Sequence, residues 1–294
     1  MNKNIYSFVK WAGGKRQLLP IINENLPTEL FNGKITKYVE PFVGGGAVLL
    51  DLIQKFEFEQ VIINDLNLDL INLYKAIKYD VNTLINKLEI IAKEYLNLDT
   101  DKRAEYYYHI RNLFNSTPSG NIDKSVYLLF LNKTCFNGLY RVNSKNEFNV
   151  PHGRYKNPTI LDKGNLISIS KVLANVEILQ GDFTNVREYV DEKTFVYFDP
   201  PYRPLNSTSN FTSYSNNDFN DEEQIRLANF FDDLNERNAK LMLSNSDPKN
   251  TDENDDFFDN LYNKYNIRRV HAKRVINSNS KGRGFITELL ITNY

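Results

Sequence analysis

Lys37-Tyr38-Val39-Glu40-Pro41-Phe42-Val43-Gly44-Gly45-Gly46-Ala47-Val48-Leu49-Leu50-Asp51-Leu52-Ile53 carries the fold. Residues 37–42 read as a short buried strand, 43–46 as a glycine turn and 47–53 as a helix. Gln60-Val61-Ile62-Ile63-Asn64-Asp65 follows as a second strand that ends on an acid. Strand, turn, helix, strand and carboxylate make the βαβ pattern of an open, doubly wound sheet, so the expected class is α/β. The strand pattern returns at 176–179, 195–198 and 240–244. Residues 267–270 and 285–292 suit an antiparallel pair at the sheet edge.

Between these two sets of strands the texture differs. Residues 69–95 and 103–135 have helical periodicity, interrupted by Asn115-Ser116-Thr117-Pro118-Ser119-Gly120. Residues 136–156 are aromatic, polar and basic, and suit exposed loops with a small hairpin around Ser144-Lys145-Asn146. The sheet is therefore split by an insertion, a permitted arrangement for an inserted module. Residues 1–68 and 157–294 form one expected domain, and 69–156 the other.

A chain of 294 residues with 41% hydrophobic residues can build a sizeable core. Its formal net charge of -1 excludes a wholly basic nucleic-acid coat. One cysteine, Cys135, excludes an intrachain disulfide or a cysteine-built zinc site, and three scattered histidines give no expected metal centre. The start has no signal-peptide pattern and no apolar run approaches the roughly 20 residues of a membrane span. The expectation is a cytoplasmic protein with no membrane partner. Charge is nonetheless segregated. Residues 107–160 hold seven Lys/Arg against two acids, residues 264–283 hold seven and no acid, and residues 218–259 hold thirteen acids against four bases. The basic segments suit either a phosphate-binding cleft, with the acidic stretch on the far side, or ordinary solvated faces.

The glycine turn lets a ligand approach the backbone without an intervening Cβ. The helix start beyond it can favour a carboxylate. Asp65, 19 residues past Gly46, can accept from two ribose hydroxyls. The turn matches neither Gly-x-Gly-x-x-Gly nor a P-loop, which disfavours a pyrophosphate cofactor, and both NAD and S-adenosylmethionine suit the Asp65 spacing. Phe8-Val9-Lys10-Trp11-Ala12-Gly13-Gly14-Lys15-Arg16 holds the only tryptophan. It suits a lid whose backbone and Lys15 bind a cofactor's amino-acid end, or plain core and surface.

Val196-Tyr197-Phe198-Asp199-Pro200-Pro201-Tyr202 places an acid at the carboxyl end of a buried strand, where open sheets bind ligands. Two prolines fix the extended turn that follows. The exocyclic amine of adenine is a poor nucleophile because its lone pair is delocalised into the ring. Asp199 can accept one N–H and the Pro200 carbonyl the other. Both acceptors favour the pyramidal amine of the transition state. Tyr202 can stack on the purine. A sulfonium methyl donor needs no metal, only in-line placement. A structural turn is the plainer use of the same four residues.

Taken together the chain resembles the Dam family of DNA adenine-N6 methyltransferases, the D12 class with Asp-Pro-Pro-Tyr last. The resemblance runs from Phe8 to Tyr294. Phe8-Val9-Lys10-Trp11-Ala12-Gly13-Gly14-Lys15, Val39-Glu40-Pro41-Phe42-Val43-Gly44-Gly45-Gly46 and Phe198-Asp199-Pro200-Pro201-Tyr202 carry it. Phe136-Asn137-Gly138-Leu139-Tyr140-Arg141-Val142-Asn143, Glu147-Phe148-Asn149-Val150-Pro151-His152-Gly153-Arg154-Tyr155-Lys156, Asn210-Phe211-Thr212-Ser213-Tyr214 and Leu243-Ser244-Asn245-Ser246 add to it.

The resemblance implies a Rossmann-like S-adenosylmethionine-dependent methyltransferase sheet with an inserted, mostly helical DNA target-recognition domain containing a hairpin. It implies S-adenosyl-L-methionine as cofactor, S-adenosyl-L-homocysteine as product, and no metal. Asp199, Pro200, Pro201 and Tyr202 would be catalytic. Trp11, Lys15, Phe42, Gly44, Gly46, Asp65, Asp182, Phe183 and Asp199 would bind the cofactor, Asp182 meeting its adenine amine unless it serves as a helix N-cap. Double-stranded DNA is the implied partner, at GATC, with the target adenine flipped out. Lys10 would read the outermost guanine, Arg141 another through O6 and N7, and Pro151 the inner pairs. Phe136 and Leu139 would wedge the duplex, with Asn137, Asn143 and Arg154 also at the DNA. Arg154, Lys156, Lys273, Arg274, Lys281 and Arg283 suit phosphate contacts or solvated surface, and residues 278–284 an element ordered on DNA. A functionally paired restriction endonuclease and a monomeric state belong to the same expectation. Methylation of cytosine N4, RNA adenine or protein glutamine, and a non-catalytic DNA-binding module, are the competing readings.

Overall fold

The computed structural model describes residues 5–11, 13–203, 219–273 and 285–294. Ala12, the 210–214 motif, Arg274, Lys281, Arg283, residues 278–284 and the side chain of Lys273 lie outside the described residues.

Among the described residues the strands are β1 (Lys37–Glu40), β2 (Gln60–Ile63), β3 (Val176–Ile178), β4 (Thr194–Phe198), β5 (Lys240–Ser246), β6 (Asn266–Lys273) and β7 (Phe285–Thr292). The helices are α1 (Leu19–Glu24), α2 (Thr28–Phe31), α3 (Ala47–Leu52), α4 (Leu68–Leu96), α5 (Thr100–Ser116), α6 (Ile122–Thr134), α7 (Lys163–Leu173), α8 (Asp221–Glu236) and α9 (Phe257–Leu261). Asparagine and aspartate start the longer helices. Asn67, Asp99, Asn121, Asp162 and Asn220 each accept a backbone N–H of the first turn of α4, α5, α6, α7 and α8.

One mixed sheet has the order β3-β2-β1-β4-β5-β7-β6. The first five strands are parallel, and β7 runs antiparallel to both β5 and β6. The expected terminal pair is antiparallel, but β7 lies inside the sheet and β6 alone forms that edge, opposite β3. Composition accounts for this. Leu289, Leu290 and Ile291 of β7 are all buried, while β6 reads Asn-Ile-Arg-Arg-Val-His-Ala-Lys and tolerates an open edge.

Period-two alternation divides the core. Tyr38, Ile63, Phe195, Tyr197 and Met242 face the cluster that includes α4 and α7. Val39, Ile62, Val196, Phe198 and Leu241 face Leu227, Phe231 and Leu234 of α8 and Phe258 of α9. The first cluster continues without a break into the insertion, through Tyr95, Tyr107, Phe130 and Phe148. Asp80, at φ -147° and ψ 49°, interrupts α4.

Residues 136–156 are less exposed than their composition suggests. Tyr140, Phe148, Val150 and His152 are buried. Asn115 is the reason for part of this. Its amide pairs with both backbone groups of Phe148, at 2.8 and 3.1 Å, as a neighbouring strand would. Tyr107 Oη donates to the Val150 carbonyl at 2.8 Å. An antiparallel bridge joins Val142 to Phe148 across the 144–146 turn. Among the described residues no helix is long and apolar enough to cross a membrane.

Candidate active site

Three parallel strands deliver three acids to one edge. β1 ends at Glu40, Asp65 lies two residues past β2, and Asp199 follows β4. Because β1 pairs with both β2 and β4, their carboxyl ends are neighbours. Burial pushes the carboxyls of Glu40, Asp65 and Asp199 up from the ordinary range. Glu40 accepts from Tyr38 Oη at 2.7 Å, the two residues sharing a face of β1.

The glycine turn is shaped by its surroundings. Gly46 has φ +67°, and a Cβ there would stand 2.4 Å from Tyr74 Oη. Tyr74 Oη in turn donates to the Gly44 carbonyl at 3.0 Å. Asp65 accepts from Gly44 N at 2.9 Å and from Asn67 N at 2.8 Å, which offsets part of its burial. Asn64, fully buried, donates to the carbonyls of Pro41 and Gly181, each at 3.0 Å, and so ties the loops after β1 and β3 together. Trp11 lies against Gly44 and stacks on Tyr140 of the insertion, with centroids 5.3 Å apart. The turn is thus a stretch of bare backbone held against Tyr74 and Trp11 and flanked by a carboxylate. That fits a cofactor with an amino-acid end and a ribose.

The Asp-Pro-Pro-Tyr turn is held at Asp199, Pro201 and Tyr202. Lys15, 4% exposed, sits 2.6 Å from Asp199 Oδ1 and donates to the Gly13 carbonyl at 2.8 Å. Its ammonium also lies 4.4 Å from the Tyr202 ring centroid. Lys15, expected at a cofactor's amino-acid end, forms an ion pair with Asp199 here. A buried ammonium needs a counter-charge, and Asp199 is beside it. Ser244 Oγ reaches the same Oδ1 at 3.3 Å and is itself bonded to Tyr197 Oη at 2.9 Å. Among the described residues, both side-chain partners of Asp199 therefore arrive at one oxygen. Gln224, fully buried, donates to the Pro201 carbonyl at 3.1 Å, and Tyr202 Oη donates to Glu288 Oε2 at 2.6 Å.

Asp182 takes the role of an N-cap, accepting from Thr184 N at 3.0 Å. Arg226 binds it through two bonds of 3.0 and 2.7 Å and holds its carboxyl at about 2. Of the two uses expected for Asp182, a contact to a cofactor's adenine amine or an N-cap, the N-cap bond is present, and Arg226 binds the same carboxylate. Phe183 and Phe42 are neighbours, with centroids 5.4 Å apart.

Of the expected DNA residues, Lys10, Phe136, Asn137 and Pro151 meet around the end of α6. Phe136 is 51% exposed, and Lys10, Asn137, Pro151, Arg154 and Lys156 are exposed as well. Leu139 is half-buried. Arg141 Nε donates to Asn149 Oδ1 at 2.7 Å, which sets the direction of its guanidinium. Asn143 is occupied within its own turn, bonded to Glu147 and to the backbone of Lys145. The basic tail does not stand apart from the acidic stretch. Arg269 pairs with Asp247 and Asp259, and Lys264 with Asp232.

Glu40, Gln224, Ser244 and Glu288 were not expected as site residues. Glu40 had a signal, an acid closing an apolar strand exactly as Asp65 and Asp199 follow theirs. Ser244 lies in a stretch that carries the family resemblance. Gln224 and Glu288 had none, because an α8 glutamine and a β7 glutamate approach the turn only through sheet order.

Residues 11–276 match the family described as D12 class N6 adenine-specific DNA methyltransferase. The chain is 57% identical over 290 residues to the type II methyltransferase M.MjaIII of Methanocaldococcus jannaschii, with 98% of each chain covered. It is 41% identical over 299 residues to the type II methyltransferase M1.LlaDCHI of Lactococcus lactis subsp. cremoris, covering 99% of this chain and 96% of the other. To the DNA adenine methylase of Escherichia coli strain K12 it is 36% identical over 290 residues, covering 99% and 95%.

Proposed function

The chain belongs to the D12 class of N6-adenine-specific DNA methyltransferases, and from that premise we propose which residues carry the transfer and at what site. The enzyme methylates adenine N6 in DNA with S-adenosylmethionine. When bound, that cofactor supplies an electrophilic methyl group on a sulfonium. Asp199 Oδ2 accepts one N–H of the target amine and the Pro200 carbonyl the other. Pro201 holds the direction of that carbonyl, and the Tyr202 ring stacks on the base. The observation that carries the assignment is the one-sided engagement of Asp199. Lys15 and Ser244 both bind Oδ1, so the carboxylate is oriented while its second oxygen remains for substrate. Acceptors set in advance cost no reorganisation as charge develops on the amine.

Trp11, Lys15, Phe42, Gly44, Gly46, Asp65, Asp182 and Phe183 line the cofactor site. Asp65 takes the ribose hydroxyls, and Phe42, Asp182 and Phe183 bound the cofactor's adenine. Residues 1–68 and 157–294 form the catalytic domain, and residues 69–156 recognise the target. Lys10 from the amino-terminal segment, with Arg141, Asn143 and Pro151 of the insertion, reads GATC. Phe136 and Leu139 fill the gap left by the flipped base, and Asn137 and Arg154 steady the backbone. The enzyme acts as a cytoplasmic monomer on double-stranded DNA, alongside a restriction endonuclease of matching site.

Methyl transfer from labelled cofactor to unmethylated and fully pre-methylated GATC duplexes tests this reading. Label is expected on adenine N6 of the first duplex alone. Equal labelling of both duplexes, or of a duplex without GATC, overturns the site assignment.

A further inference from the structure

Lys10 belongs to the amino-terminal segment and Gly138 to the turn after α6, yet one side chain joins them. Asn132 lies 122 positions from Lys10, near the end of α6, and is 1% exposed. Its Oδ1 accepts from Lys10 N at 2.8 Å. Its Nδ2 donates to the Lys10 carbonyl at 2.7 Å and to the Gly138 carbonyl at 3.0 Å. Both backbone groups of Lys10 are therefore satisfied by a single buried amide, which also fixes the Asn137-Gly138 turn.

Two further contacts hold the same segments together. A Cβ on Gly138, at φ +65°, would stand 2.4 Å from Lys10 Cδ and 2.7 Å from Lys10 Cβ. The lysine stem thus lies in the space that a side chain would take. The Lys10 ammonium is 5.2 Å from the Tyr155 ring centroid, and Tyr155 Oη accepts from Asn137 N at 3.0 Å.

We propose that Asn132 is a positioning residue for sequence discrimination. It sets the Lys10 stem and the 136–139 turn in one register, so that reading the outer guanine and wedging the duplex occur together. This rests on the proposed reading of Lys10, Phe136 and Leu139 as DNA contacts. The physical reason lies in lysine itself. An ammonium on a flexible four-carbon stem discriminates bases only if the origin of the stem is fixed. Lys15, five residues on, pairs with Asp199, so the recognition turn and the catalytic acid each meet a lysine of one short segment.

Asn132→Asp keeps the side-chain shape and the acceptor for Lys10 N but removes both donations. In the full-length enzyme we measure kcat/KM on a GATC duplex and on one with the outer guanine replaced. The ratio of the two is expected to fall roughly tenfold in the variant. Combined with Lys10→Ala, Asn132→Asp is expected to lower the ratio no further, because both act through one side chain. A folded variant with the wild-type ratio, or losses that multiply in the double variant, overturns the proposal. Gly138→Ala displaces the Lys10 stem while leaving the Asn132 side chain itself unaltered, and is expected to lower the ratio likewise. It decides the matter if Asn132→Asp fails to fold, since an unchanged ratio there also overturns the coupling. If Lys10→Ala leaves discrimination intact, the DNA reading of Lys10 fails, and the role of Asn132 with it. If Lys10→Ala relaxes discrimination and Asn132→Asp does not, only the positioning role fails.

Discussion

Gly46→Ala is expected to disable the cofactor turn through one identifiable clash. Position 46 has φ +67°, and the new methyl would lie 2.4 Å from Tyr74 Oη. Left-handed backbone costs an alanine about 1–2 kcal/mol. Relieving the clash moves the phenol away from the Gly44 carbonyl, and leaving that acceptor unpaired costs about 1–3 kcal/mol. The sum, about 2–5 kcal/mol, is a large part of the roughly 5–15 kcal/mol that keeps a domain folded. It falls on the loop where Gly44 N binds Asp65. Isothermal titration with S-adenosylmethionine and denaturant unfolding are the assays. Both affinity and stability are expected to drop. Tyr74→Phe removes the oxygen that the methyl meets, and the next atom, Tyr74 Cζ, is 3.5 Å away. Gly46→Ala is therefore expected to cost about 1–3 kcal/mol less in the Tyr74→Phe background than alone. Strictly additive effects, or wild-type cofactor affinity in Gly46→Ala, would refute the account of the turn.

Asp199→Ala is expected to abolish turnover while gel-shift binding of the duplex survives; retention of even a tenth of the wild-type rate would remove Asp199 from the reaction. Burial raises the Asp199 carboxyl, so the ionised acceptor is lost at a higher pH than for an ordinary aspartate. The acid limb of kcat/KM should lie correspondingly high, and a limb at the usual carboxylate value would contradict this. Arg141→Ala should relax discrimination at one guanine by about 1–3 kcal/mol in competition assays, and unchanged preference would exclude the contact. Arg226 holds Asp182 down to about 2, so the pair stabilises the fold above the ordinary aspartate range. That contribution is lost as pH falls from about 3.8 to about 2. The stability gap between wild type and Arg226→Gln should close across this interval in acid unfolding, and a constant gap would argue against the pairing.

The βαβ run was legible because each step has a local cause. Apolar residues with period two make the strands, glycines make the turn, and a helical repeat follows. The Asp-Pro-Pro-Tyr turn was legible for a similar reason, since prolines restrict the backbone wherever they occur. Lys15 was visible as a basic residue beside two glycines, but not as the counter-ion of Asp199. The Asp182 N-cap was legible as one of two options, while its clamp by Arg226 was not. Residues 136–156 showed their polarity and hid their burial, because Asn115 and Tyr107 reach them from a different helix.

Sequence alone determined the α/β class, the glycine turn, the acid after β4 and the family, because these depend on neighbours along the chain. Tertiary structure alone decided that β7 enters between β5 and β6, that Glu288 meets Tyr202, and that Asn132 joins Lys10 to Gly138. Those contacts form between segments far apart in the chain. Each residue there is an ordinary polar side chain, and only packing of the sheet and α6 gives it a partner.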